Sequence, residues 1–298
     1  MTEKYHIPVL LEESMDALKI HDRGVYVDLT FGGGGHTREI LRRGAAEVIC
    51  FDQDVDAKSN LVDDERITFV QHNFRYLKYF LRYLQKNQVD GVLADLGVSS
   101  HEFDEAGRGF SFRFDSPLDM RMNQDGLLTA YDVVNTYSEQ QLATILKEYG
   151  ELKNAKQLSR IIVSARSSSE IKTTAKLADI VAGKIPEFKR ASFLAKVFQA
   201  IRIEVNDELG ALRDVLMQMP EVIKPGGRLV VISYHSLEDR LVKRFMQTGN
   251  VAGDLEKDFY GNVIKDFKTI GKIQSPSEEE IAENSRARSA KLRVAERV

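Results

Sequence analysis

The stretch VYVDLTFGGGGHTREIL, residues 25–41, sets four glycines directly behind a short apolar run. Val25, Tyr26 and Val27 read as a buried strand, and residues 37–42 read as the first turns of a helix. Glycine permits a sharp turn and a close approach of backbone to a ligand. The free amide groups at a helix start face such a loop. Strand, glycine turn and helix N-terminus together make a cradle for a polar or anionic group. The glycines alone do not identify that group, because dinucleotide, phosphate and many catalytic loops share them.

Outward from this stretch, strand-like runs recur at residues 25–30, 48–51, 67–70 and 91–95, with helical-length segments between them. That alternation predicts an α/β fold with a mostly parallel sheet. The rhythm stops after DLGVSS. A loop rich in glycine, aromatics and arginine, EAGRGFSFRFDSPLDMRM, leads into a long helical pattern. Ser138 and Gln141 have capping-box spacing at the start of SEQQLATILKEYG. Further helices are expected at residues 155–167, 174–184 and 191–217, the last long and amphipathic. The sheet signal returns at KPGGRLVVISYHS, where Pro225, Gly226 and Gly227 end a helix before a strand at 228–234. A sheet domain of residues 1–102 and 208–298, interrupted by a helical insert of residues 103–207, follows from this order. The segment QSPSEEEIAENSRARS has a disordered-looking composition, and LRVAERV is expected to close the sheet as an edge strand.

With 298 residues, 43% hydrophobic and 29% charged, the chain has the composition of a soluble globular protein. No apolar run approaches the ~18 residues a membrane helix needs. The opening MTEKYHIPVLLEE lacks the basic-then-apolar order of a secretory signal, and a single cysteine fits a reducing cytoplasm. The single cysteine, Cys50, lies in the apolar run VICF and reads as core. The net charge of −3 hides an asymmetry. From Glu151 to Ile203 there are eleven Lys or Arg against four Asp or Glu, and the last thirteen residues hold five against one. Such clusters fit a polyanion-binding surface, and equally fit solvated helix faces.

Asp52, in FDQD, lies eighteen residues past Gly34, at the end of the second strand. In a doubly wound sheet that position binds the ribose hydroxyls of a nucleoside. No GK[ST] ends the glycine turn, which disfavours a phosphate-binding Walker loop. Asp28 and Thr30, just before the glycines, are acceptors suited to a cationic amino-acid group, which favours S-adenosylmethionine over NAD. Asp95, in ADLGVSS, emerges at the carboxyl edge of the sheet, where ligands of open α/β folds bind.

The blocks HIPVLLEE, DLTFGGGGHT, FDQD, ADLGVSS, RGFSF, SPLDMRM, FQAIRIEVNDEL, PGGRLVVISYHSLEDRLVKRFM and NSRARSAKLRVAER, in this order and nearly end to end, resemble one family. It is the bacterial ribosomal small-subunit RNA (cytosine-N4) methyltransferase family, of the RsmH or MraW type. SPLDMRM and ISYHSLEDR are specific to it, whereas the glycine loop is widely shared. The resemblance implies a class I S-adenosylmethionine-dependent methyltransferase, Rossmann-like with a mostly parallel seven-stranded sheet and an inserted helical domain for substrate RNA. It implies cofactor contacts from Gly34, Gly35, His36, Asp52, Phe74 and Asp95. The family's last contact is usually Gln; here Glu102 stands two residues past the serine pair, and a carboxylate cannot donate the hydrogen bonds of an amide.

The implied reaction moves a methyl group to the exocyclic N4 of a cytidine in 16S rRNA, in the decoding region of the small subunit. Cytosine N4 is a poor nucleophile, and a carboxylate accepting its N–H would hold the amine; Asp95 is the catalytic candidate. A stacked base cannot reach such a pocket, so the target is unpaired or flipped. Phe103, Phe110, Phe112 and Phe114, with Arg108 and Arg113 between them, offer stacking faces and phosphate contacts. The Phe alternation fits a buried face or core plug at least as well. His235, in YHSLEDR, is a substrate-side candidate or else a hydrogen-bonded structural histidine. Six scattered histidines and one cysteine show no metal-ligand spacing. Two competing readings keep part of this picture: a methyltransferase with a non-RNA acceptor, and an RNA-binding assembly factor with a vestigial cofactor site. Homo-oligomerisation is left open.

Overall fold

Each apolar run of the first third becomes a strand: β1 Val25–Asp28, β2 Glu47–Asp52, β3 Ile67–Gln71 and β4 Val89–Asp95. Val27, Val48, Ile49, Val92 and Leu93 are wholly inaccessible, as expected of central parallel strands covered on both faces. The later run becomes β5 Ile223–Ser233, followed by β6 Phe267–Gln274 and β7 Lys291–Arg297. The seven strands form one sheet in the order β3-β2-β1-β4-β5-β7-β6. The first five run parallel, and β7 lies antiparallel to both β5 and β6. This is the Rossmann-like, class I arrangement. Strand order reverses between β1 and β4, so the crevice at their carboxyl ends is the topological switch point. Asp28 pairs in register with Cys50 on one side and Leu93 on the other, which sets Asp52 and Asp95 just beyond it on the flanking strands.

The computed structural model describes residues 8–98, 102–103, 105–183 and 185–298, and the chain divides into two units. One is Met1–Gly97 with Leu209–Val298; the other is Val98–Glu208. The second unit therefore begins at Val98 and takes in Glu102. In the first unit, helix α1 Leu11–Leu18 packs on β4 and β5, and Met15 and Leu18 enter a core shared with Tyr26, Leu93, Val230 and Leu292. Helices α2 Gly35–Arg42 and α3 Leu77–Tyr83 precede β2 and β4.

The second unit has its own core, centred on Leu146, Ile162, Leu177, Val197 and Phe198. Its helices are α4 Ala130–Thr136, α5 Glu139–Glu148, α6 Ala155–Ser168, α7 Thr174–Ala182 and α8 Glu187–Asn206. The capping box at Ser138 and Gln141 is present. The single helix expected over 191–217 is instead two, α8 and α9 Glu208–Val222, with Asp207 left-handed between them at φ 48°. Apolar spacing continues across that break, so periodicity does not reveal it. The local cause is Asn206, whose side chain accepts from Met122 N (2.7 Å) and donates to Met120 O (2.8 Å), capturing the loop.

Two further expectations change. The segment at 274–289 is ordered as α11 Glu278–Glu283 and a 3₁₀ turn Ser285–Ser289, after α10 Ser236–Thr248. Ser277 caps α11, Leu10 N donates to Glu280 Oε1 (2.8 Å), and Ala287 is buried. LRVAERV, as β7, lies inside the sheet; the edge is β6, whose mostly exposed FKTIGKIQ presents the lysines that blunt such edges.

Candidate active site

The glycine loop is held by its neighbours on both sides. Gly32 N donates to Asp52 Oδ2 (2.8 Å), and Asn60 Nδ2 donates to Gly32 O (3.0 Å). Gly34 caps α2 in the left-handed region at φ 71°, and a Cβ there would lie 2.7 Å from the Phe31 ring. At Gly35 a Cβ would lie 2.2 Å from Pro8 Cγ, whereas at Gly33 it would meet nothing within 4 Å. Gly34 and Gly35 are thus required by chain geometry, and Gly33 faces open space.

Three carboxylates end three adjacent strands. Asp28 of β1 is fully buried and accepts from the Thr37 hydroxyl (2.7 Å) and Thr30 N (3.1 Å), tying the strand end to α2. Burial raises its pKa, against those hydrogen bonds. Asp52 of β2 accepts from Asp54 N (2.9 Å) as well as Gly32 N. Burial pushes it up to about 6, against these two amides and helped by Asp54 and Asp28. Asp95 of β4 accepts from the Tyr234 hydroxyl (2.7 Å) through Oδ1, while Oδ2 lies 3.8 Å from His36 Nδ1. Burial pushes Asp95 up to about 6, opposed by His36 and Tyr234 and helped by Asp28 and Glu238.

His36, on the first turn of α2, is buried, and its Nε2 lies 3.3 Å from Val9 O. A carbonyl can only accept, so Nε2 carries the proton, and burial keeps the ring neutral by lowering its pKa. Nδ1 therefore offers a lone pair beside Asp95 Oδ2. Two acceptors side by side complement an amino or ammonium group.

Among the described residues, no lysine or arginine forms an ion pair with Asp28, Asp52 or Asp95. Buried acids without a cation are costly. A ligand bringing positive charge and hydroxyl donors offsets that cost, and S-adenosylmethionine, with its sulfonium, ammonium and ribose, has this chemistry. The donor set and the open space at Gly33 fit it. Phe74, half-buried in the 3₁₀ turn Phe74–Tyr76, follows β3 on the same sheet edge.

The remaining sequence candidates separate. Glu102 is buried in the second unit. Arg108, proposed from sequence as a phosphate contact, is buried; its Nη2 donates to the carbonyls of Arg121 (2.9 Å) and Met122 (3.2 Å), and it lies over the Phe110 ring. Phe110 is core, Phe112 packs edge-on against Phe198, and Phe114 is exposed. RGFSF and SPLDMRM thus plug the second unit's own core, while Arg113 is exposed. His235 caps α10: its Nδ1 accepts from Glu238 N (3.5 Å), and Glu238 Oε2 accepts from Tyr234 N (2.8 Å) and His235 N (3.3 Å). That reciprocal pair is the arrangement of a structural histidine.

Sequence reasoning passed over Tyr234, Thr37 and Glu238. The H-x-x-E spacing of His235 and Glu238 is capping-box spacing and was a usable signal; no local signal pairs Tyr234 with a residue 139 positions away.

The chain is 55% identical over 296 residues to "Ribosomal RNA small subunit methyltransferase H" of Bacteroides fragilis, covering 98% of this chain and 97% of that protein. It is 55% identical to the protein of the same name from Flavobacterium johnsoniae, covering 100% and 99%. Solved structures are looser: an rRNA methylase from Streptococcus thermophilus, covering 100% of this chain and 99% of its own, has a TM-score of 0.43 at 11% identity. The MraW methylase family model matches residues 3–298, and the chain belongs to that family.

Proposed function

We propose that this chain transfers a methyl group from S-adenosylmethionine to the exocyclic N4 of a cytidine in 16S rRNA of the small ribosomal subunit, in its decoding region. The observation that carries the reading is the row of acids at the switch point, buried Asp28 between part-buried Asp52 and Asp95, with no protein cation against them among the described residues. Membership in the MraW methylase family, and relatives named as small-subunit rRNA methyltransferases, support the same acceptor.

When bound, S-adenosylmethionine supplies a methyl carbon on a sulfonium, a good leaving group. Gly34, Gly35 and His36 would hold it at the start of α2, Asp52 would take its ribose hydroxyls, and Phe74 would pack on its base. Asp52 retains a lone pair on each oxygen for this purpose despite its two amide bonds. Asp95 accepts an N–H of the acceptor amine through Oδ2, which orients the N4 lone pair. The main demand is then positioning. Arg113 contacts phosphate, and the basic run from Glu151 to Ile203 contributes to RNA affinity. The acceptor is the small subunit, in the cytoplasm.

Mapping modified nucleotides by mass spectrometry, in ribosomal RNA from cells with and without this protein, tests the reading. An N4-methylcytidine of 16S rRNA should disappear with the gene and return on adding the purified chain and labelled cofactor to those subunits. Persistence of the mark without the protein would overturn it.

A further inference from the structure

The DLG turn after β4 and the SYH turn after β5 are built as one unit. Gly97 sits at φ 102°, and a Cβ there would lie 3.2 Å from the Tyr234 ring, so the glycine lets the ring close against the turn. Leu96 N donates to Ile232 O (2.9 Å), holding the two strand ends together. Glu238 fixes the backbone of Tyr234 from α10, and the Tyr234 hydroxyl reaches Asp95 Oδ1 at 2.7 Å. Among the described residues this hydroxyl is the only hydrogen-bond donor to the Asp95 carboxylate.

We propose that Tyr234 is a positioning residue for the reaction: its hydroxyl ties one oxygen of Asp95, holds the group as an oriented carboxylate, and leaves the other oxygen for the acceptor amine. This rests on the role of Asp95 given above. The charged and titratable neighbours make the hydroxyl matter. Asp28 of β1 and Glu238 of α10 both disfavour a charged Asp95, and His36 of α2 is kept neutral by burial. Tyr234 itself stays protonated, because burial, Asp95, Glu238 and Glu280 all raise its pKa. It is thus a permanent donor opposing the two acids.

The sign follows. Asp95 acts as a carboxylate, so activity rises with pH as it ionises. Removing the hydroxyl makes ionisation harder and moves that rise to higher pH, by about one unit for a lost hydrogen bond to a charged group. In Tyr234→Phe, kcat should fall about fivefold near ~pH 6, approach a tenfold fall at lower pH, and recover toward the wild-type value at higher pH.

Two measurements on the full chain decide it. Carboxyl-carbon NMR of aspartate-labelled protein, with Asp95→Asn assigning the signal, should show the Asp95 midpoint moved up in Tyr234→Phe. The pH profile of methyl transfer to small subunits should move with it. A ring-fluorinated tyrosine at 234, a stronger donor in the same shape, should move both the other way, and serves if the Phe variant fails to fold. Unmoved midpoints in the folded variants would overturn the inference, since a merely structural tyrosine would lower activity at all pH values alike. If the wild type transferred no methyl group, the functional reading would fail, and the NMR arm would still decide the Tyr234–Asp95 coupling.

Discussion

Asp95 carries the sharpest consequence at the scale of a single residue. Asn in its place keeps the shape and one acceptor oxygen but loses the charge. Turnover by Asp95→Asn should fall about a hundredfold, the usual scale for a polar group acting on a transferring proton. Cofactor affinity, read by calorimetry, should fall much less, and equal turnover would remove Asp95 from the mechanism. The glycines make a second contrast. Gly33→Ala puts a methyl group into open space and should leave the melting temperature unchanged while weakening cofactor binding. Gly35→Ala drives a Cβ against Pro8 and should cost about 1–3 kcal/mol of stability. If the two variants melt alike, Pro8 does not constrain Gly35; if Gly33→Ala binds cofactor as the wild type does, the open space at Gly33 is not a ligand surface. From sequence these glycines look interchangeable; only the neighbours supplied by the fold, Phe31 and Pro8, separate the positions where a side chain is barred from the one where it has room.

Elements repeat this division between what is local and what is long-range. Strands β1 to β5 were legible because burial on both faces writes continuous apolar runs, and Asp52 and Asp95 were legible because they end such runs. The capping box of α5 spans four residues and could be read directly. The break at Asp207 could not, since it depends on Asn206 holding the carbonyl and amide of residues more than eighty positions earlier. The order of residues 278–289 likewise depends on a cap and on a bond to Leu10. The arginines of the loop before α4 show the same limit: both look like phosphate contacts, yet Arg108 is turned inward to two carbonyls and Arg113 is exposed. Arg108→Ala should therefore destabilise the second unit by about 2–3 kcal/mol, because buried carbonyls lose a charged donor. Arg113→Ala should leave melting unchanged, weaken binding to small-subunit RNA, and reduce the logarithmic salt slope of that binding by about one. Equal effects of the two on melting and on RNA affinity would contradict this division of labour.

For the whole molecule, the row of acids sets how stability and ligand binding respond to pH. Asp52 and Asp95 have folded pKa values raised to about 6, and Asp28 is raised in the same direction. In the unfolded chain such groups release their protons near ~pH 4. Between these limits the folded state holds more protons, so stability falls as pH rises through the window. The opposite groups, Asp64, Glu39, Asp90 and Asp119, have lowered pKa values, and their contribution is lost only on stronger acidification. The ligand-free chain should consequently melt several degrees higher at ~pH 5 than at ~pH 7, and the double variant Asp52→Asn, Asp95→Asn should flatten that slope. Linkage then requires the cationic cofactor to bind more tightly as these acids ionise, and to release protons when it binds near ~pH 6. Calorimetry in buffers of different ionisation enthalpy measures that release directly. Proton release in the wild type that shrinks in the double variant, which keeps only Asp28, is the expected result. Binding that neither releases protons nor strengthens through the window would mean that the acids at the strand ends do not meet the charge of the ligand, and the assignment of the cleft would fall with them.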